Sequence, residues 1–118
     1  MKAFNRATGR LAEDFAAETL KKKGLRILER NFGNKFGEID IIAQDQDTLV
    51  FVEVKAKTGI EFGLPEEMIS TRKLQKVRNT AMVYTKGKSL PCRIDVVAVV
   101  LDQNDELVRL THYENVYF

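Results

Sequence analysis

Cysteine, histidine and long apolar runs are the scarce features of this 118-residue chain. The single cysteine, Cys92, cannot form an internal disulfide, which fits a reducing compartment. The expectation for a lone cysteine of this kind is a buried, inert side chain. The single histidine, His112, stands near the C-terminus, far along the chain from the other candidate residues, so a structural role is expected for it rather than a catalytic one. The longest apolar stretch, Asp95 to Leu101, is far too short to span a membrane. Met1 to Arg6 lacks the apolar core of a signal peptide, so a cytoplasmic location and no membrane partner are expected. There are no internal repeats and no low-complexity segment. The length suits one domain spanning residues 1–118.

Charge is plentiful, at 31% of residues, and unevenly placed although the net charge is only +2. Arg72, Lys73, Lys76, Arg78, Lys86 and Lys88 cluster in one stretch, and Lys21, Lys22, Lys23, Arg26 and Arg30 in another. From Asp95 onward Arg109 is the only Lys or Arg. Two basic clusters suit a polyanionic ligand, and two ordinary solvated faces would produce the same pattern.

The pattern of apolar residues predicts a helix from about Thr8 to Lys23, with Leu11, Phe15, Ala16 and Leu20 as its stripe. Asn5 or Thr8 can cap its start, and Gly24 ends it. A strand is expected at Leu25 to Phe32. A second helix runs from Ser70 or Thr71 to Lys86, with Leu74, Val77, Ala81 and Tyr84 inward. Arg93 to Leu101 reads as an interior strand and Glu106 to Thr111 as an edge strand. The order gives an α/β fold, with helices on both faces of a mixed sheet.

The centre of the chain is a hairpin. Gly37 to Ala43 and Leu49 to Lys57 are both β-branched and apolar, with turn formers between them. If Asp45 to Thr48 form the loop, Gln44 faces Leu49, Ile42 faces Phe51, Asp40 faces Glu53 and Glu38 faces Lys55. Side chains alternate along a strand, so Asp40, Glu53 and Lys55 share one face, and Ile39, Ile41, Ala43, Val50, Val52 and Val54 fill the other. A salt bridge from Lys55 to Glu38 or Glu53 is one use of these charges. Two carboxylates on opposed positions repel, however, unless a cation lies between them. Paired carboxylates with a backbone carbonyl suit Mg²⁺, and a nearby lysine can orient a water or stabilise charge on a phosphoryl group. Glu13 falls at the margin of the first helix's apolar face, where it either points into a site or meets solvent.

These residues carry a resemblance. The αβββαβ order with Asp40 and Glu53-Val54-Lys55 resembles the PD-(D/E)XK, or restriction-endonuclease-like, superfamily. More closely, the chain resembles the YraN-like family of small bacterial proteins described as endonucleases. The matching residues are Gly9-Arg10 with Glu13, Phe36 to Asp40, Val52 to Lys55, Phe62-Gly63, Arg72-Lys73 and Pro91 to Val97. Ile39 stands where the superfamily often has proline. The resemblance implies a restriction-endonuclease-like core with an extra C-terminal edge strand, and kinship with archaeal Holliday-junction resolvases. It implies Asp40, Glu53 and Lys55 as catalytic residues. It implies Glu13, Asp40 and Glu53 as ligands of Mg²⁺ or Mn²⁺. Arg10, Lys57, Arg72, Lys73 and Lys76 are the expected contacts to nucleic acid, most simply DNA, and a homodimer follows by analogy with resolvases. The implied activity is metal-dependent cleavage of structured or branched DNA. The alternatives are a catalytically silent nucleic-acid-binding or scaffold protein on the same fold, and a protein-interaction module.

Overall fold

Alanine placement decides how the first helix sits. The computed structural model of the protein describes residues 6–35, 37–59, 67 and 69–117. Arg6–Lys22 forms α1 and buries Thr8, Ala12, Ala16, Ala17 and Leu20, with Leu11 and Phe15 half-buried beside them. The small side chains let the helix axis lie close to the sheet. Thr8 is an inward-facing residue of the helix and not its cap; Asn5 lies outside the described residues. The C-terminus closes with Gly24 at φ 93°, its N–H on the Lys21 carbonyl at 2.9 Å and the Leu25 N–H on the Leu20 carbonyl at 3.0 Å. That left-handed closure is open to glycine without strain, and Lys21 and Lys22 complement the helix dipole.

Five strands follow among the described residues: β1 (Arg26–Asn34), β2 (Gly37–Asp45), β3 (Thr48–Thr58), β4 (Cys92–Leu101) and β5 (Leu107–Tyr117). They form one sheet in the order β1-β2-β3-β4-β5. Neighbours are antiparallel except β3 and β4, which run parallel. A parallel pair needs a long crossover, and α2 (Thr71–Tyr84) provides it. Ser70 caps α2, its hydroxyl accepting from the Lys73 N–H at 3.1 Å. The architecture is the expected α/β arrangement, a mixed sheet with one helix on each face.

Under α1 lie Ile41, Ala43, Val50, Val52, Val97, Val99 and Leu101. Under α2 lie Ile39, Ile42, Phe51 and Ile94, packed on Val77 and Ala81. Tyr84 closes that side with edge-on contacts to Phe32 at 5.1 Å and Phe51 at 6.0 Å. Each large aliphatic side chain so buried stabilises the fold by about 1.5–3 kcal/mol.

Several details differ from expectation. The hairpin turn is tighter: Asp45 pairs with Thr48, leaving Gln46 and Asp47 as the turn, with Gln46 at φ 55°. The last strand continues six residues past Thr111, to Tyr117. Cys92 is exposed, because it opens β4 at the end of the sheet rather than within it. Residues 60–66, including Phe62 and Gly63, and also Phe36, lie outside the described residues.

Candidate functional site

The site begins as a fault in the sheet. On one side of β2, Arg30 pairs with Ile41 and Phe32 with Ile39, leaving Asn31 and Asp40 facing each other between them. On the other side, the pairing of β2 with β3 ends at Ile41 and Val52. Asn31 has φ 56°, a left-handed conformation that asparagine tolerates better than most residues. The fault shifts the alternation of both strands. Arg30 reaches Asp14 on α1, whereas Phe32, two residues on, packs against Tyr84 of α2. Ile41 likewise lies under α1 and Ile39 under α2. Ile39 therefore does not share a face with Ile41 as strict alternation requires, and the displaced residue is Asp40. The expected register nevertheless holds through Gln44–Leu49, Ile42–Phe51 and Ile41–Val52. Beyond it, the Val54 N–H donates to Asp40 Oδ2 at 2.7 Å, so a side-chain oxygen accepts where a strand carbonyl otherwise would.

Glu53 lies next to Asp40 and is 3% exposed. Lys73 Nζ from the first turn of α2 approaches Glu53 Oε1 at 3.4 Å. Glu53 Oε2 is buried and makes no hydrogen bond among the described residues. Burial, and then the negative charge of Glu53, push the Asp40 carboxyl from its ordinary 3.8 up to about 7, against the Val54 N–H and Lys73. Glu53 is also raised, first by burial; Lys73, Lys55 and a hydrogen bond with Asp40 oppose the shift. The pair is an electrostatic misfit: two carboxyls, mostly desolvated, that favour sharing a proton over both ionising.

Glu13 enters from α1. Burial and then the charge of Asp40 raise its pKa, and Arg30 opposes this from 3.6 Å. The Asn31 side-chain amide, oriented by its acceptors, donates to Glu13 Oε1 and Glu38 Oε1 at 3.1 Å each. Glu13, Asp40, Glu53, Lys55, Lys57 and Lys73 all line one open cleft of about 560 Å³, formed where β2 and β3 part between the N-terminal halves of the two helices. Arg10 is exposed on α1 outside the cleft walls, and Arg72 and Lys76 are exposed on α2.

The metal-ligand expectation meets a mixed geometry. Among the described residues no three His, Cys, Asp or Glu side chains gather as a ready-made ligand group. Glu13 is engaged by Arg30 and Asn31 instead of closing on the Asp40–Glu53 pair. The pair itself fits a hard divalent cation: two adjacent carboxyls, both with pKa values raised first by burial, and a buried oxygen with no partner among the described residues. Asn31 and Arg30 are parts of this site that sequence reasoning missed. Their only advance signal was an Asn beside Phe-Gly, a weak turn cue.

A second polar cluster lies elsewhere. Asp95, fully buried in β4, faces a bulge where Ile94 pairs with Tyr117 but Val96 with Tyr113. It accepts from Arg93 Nε at 3.0 Å, the Asn115 N–H at 2.9 Å and His112 Nε2 at 2.8 Å. Lys23 Nζ reaches His112 Nδ1 at 2.9 Å. An ammonium can only donate, so Nδ1 accepts and Nε2–H faces Asp95. These residues tie the end of α1 to β4 and β5, as expected of a structural histidine.

A model of the family described as "Uncharacterised protein family UPF0102" matches residues 12–99. A UPF0102 protein of Pelotomaculum thermopropionicum is 46% identical over 112 residues, covering 92% of this chain and 93% of its own. One of Dictyoglomus turgidum is 38% identical over 116 residues, covering 96% and 98%. One of Caldanaerobacter subterraneus subsp. tengcongensis is 41% identical over 122 residues, covering 99% and 100%. The matched stretch of the family contains every cleft acid and lysine named above.

Proposed function

The chain belongs to the uncharacterised protein family UPF0102, and we propose that it is a divalent-metal-dependent endodeoxyribonuclease of the PD-(D/E)XK type, resolvase-like, acting on structured or branched DNA. The observation that carries this is the Asp40–Glu53 pair, adjacent and mostly buried with one unsatisfied oxygen, in a cleft shared with Lys55, Lys57 and Lys73. A structural ion pair would place one acid beside one base. Two acids together call for a cation of higher charge.

Asp40 and Glu53 would hold Mg²⁺ or Mn²⁺, which supplies Lewis-acid stabilisation for an oxygen of the scissile phosphate. Lys55 leaves β3 two residues after Glu53, on the same face, and its ammonium orients the attacking water and neutralises charge building on the phosphoryl oxygens. Lys57 and Lys73 hold the flanking phosphates. Exposed Arg72 and Lys76 extend that basic surface along α2, and Arg10 along α1. Such contacts position a duplex without reading its bases. The Val54 N–H holds Asp40 in place, and Asn31 does the same for Glu13.

One observation favours a second reading, a nucleic-acid-binding protein without turnover. Glu13 is already held by Arg30, and Lys73 already faces Glu53. The test is cleavage of duplex, single-stranded, flapped and four-way DNA with Mg²⁺ or Mn²⁺, parent beside Lys55→Ala. Cleavage by the parent that the variant loses supports the nuclease. Salt-sensitive binding with no cleavage by either protein supports the silent binder.

A further inference from the structure

We propose that the Lys73 ammonium is the resident counter-ion of the Asp40–Glu53 pair, and that a divalent cation enters by displacing it outward toward a substrate phosphate. This rests on the metal-binding reading of the same cleft. At 3.4 Å the Lys73–Glu53 contact is longer than the 2.7–2.9 Å or so of a good charge-assisted hydrogen bond, so the ammonium neutralises without being locked. The contact is to Oε1, and Oε2 has no hydrogen-bond partner among the described residues. The two partners are unequally buried: the Glu53 side chain is 4% exposed and that of Lys73 38%. The acid therefore cannot leave, but the ammonium has a path to solvent.

The backbone around Lys73 is fixed. Its N–H is bound by the Ser70 hydroxyl, so the movement lies in the side chain alone. The first turn of α2 has no acidic residue to hold the released ammonium. A cation in that turn opposes the helix dipole, an unfavourable placement that Glu53 offsets in the metal-free protein. Once a divalent ion takes over Glu53, a phosphate is the natural new partner for Lys73. Metal entry and phosphate contact are thereby coupled through one side chain. Lys55 also acts on Glu53 through its charge, but from the same strand, where it needs no displacement.

The test is Mn²⁺ titration of the full chain without DNA, read by the electron paramagnetic resonance of free Mn²⁺. Lys73→Met is expected to tighten Mn²⁺ binding by about fivefold or more, as a competing charge is removed. Lys73→Arg, which keeps the charge, is expected to leave the affinity unchanged. Glu53→Gln is expected to weaken binding. If Lys73→Met binds like the parent or more weakly while Glu53→Gln still loses affinity, the displacement is wrong and the metal site stands. If Lys73→Arg tightens binding as much as Lys73→Met, the charge is not the cause and the displacement is again overturned. If the parent takes up no Mn²⁺, the metal site itself fails, and the displacement fails with it.

Discussion

The Val54 backbone N–H donates to Asp40 Oδ2 at 2.7 Å across the gap where β2 and β3 stop pairing. One carboxylate thus does two things. It closes a hole in the strand ladder, and it is held against Glu53 in a cleft where its charge is disfavoured. Structure and electrostatics pull on Asp40 in opposite directions, and replacements can separate them.

Asp40→Asn keeps an oxygen for the Val54 N–H and removes the repulsion with Glu53. The metal-free variant is expected to be more stable than the parent by about 1 kcal/mol at pH 8, yet to have lost cation binding and any cleavage. Asp40→Ala leaves the Val54 N–H unpaired and is expected to be less stable than Asp40→Asn by about 1–3 kcal/mol. Urea denaturation at fixed pH compares all three proteins.

The pH dependence has a definite sign. The folded-state pKa of Asp40, about 7, lies above its ordinary 3.8. Its contribution to stability is therefore fully present below the ordinary value and is lost as pH rises through about 7. Asp95, whose pKa is lowered, acts oppositely: its contribution is present above the ordinary value and is lost on acidification. The difference between the parent and Asp40→Asn isolates the first effect. That difference is expected to be near zero around pH 4 and to grow toward pH 8. A difference that is flat across this range would contradict the assignment.

Asp95→Ala should weaken the fold without touching the cleft. It strands the Asn115 N–H and the buried His112 Nε2–H, and leaves the Arg93 guanidinium with Asp45 as its remaining hydrogen-bond acceptor. Losing one partner of such a network costs about 2–4 kcal/mol. The urea midpoint should fall by the corresponding amount, with Mn²⁺ affinity unchanged in the folded protein.

Asn31 tests the fault in the sheet. At φ 56°, Asn31→Val is expected to cost about 1–2 kcal/mol through backbone strain. Asn31→Gly accepts the backbone but removes the amide from Glu13 and Glu38. Glycine should therefore give the more stable of the two variants. A valine variant as stable as the glycine variant would show that the left-handed conformation is not required.

Nucleic-acid affinity should depend on salt through the exposed α2 lysine and arginine. Replacing Lys76 or Arg72 by Ala is expected to reduce the slope of log K against log salt by about 1 each, with no change in sequence preference. Binding measured at several salt concentrations reads this directly.

The hairpin register from Gln44–Leu49 to Ile41–Val52, both helices and the sheet class were legible in the sequence, because they follow from periodicity; the strand pairs expected beyond, Asp40 with Glu53 and Glu38 with Lys55, are not formed, and Asp40 stands beside Glu53 without pairing in the ladder. A period of two in Gly37 to Lys57 admits one pairing that buries the apolar face, and a period of 3.6 in the helices marks their inner stripes. Local chemistry also placed the Gly24 cap. What tertiary structure alone decided are the contacts between distant segments. Lys73 lies twenty residues from Glu53, and only the docking of α2 selects it over the neighbouring lysines to face that acid. Arg30 draws Glu13 away from the carboxyl pair, a competition invisible until β1 lies beneath α1. The paired fault at Asn31 and Asp40 broke the alternation that strict periodicity requires without shifting the register, since such a fault arises from how the strands fit together and leaves little mark on either one. Periodicity thus determined which face each residue type seeks, and packing decided which charge meets which.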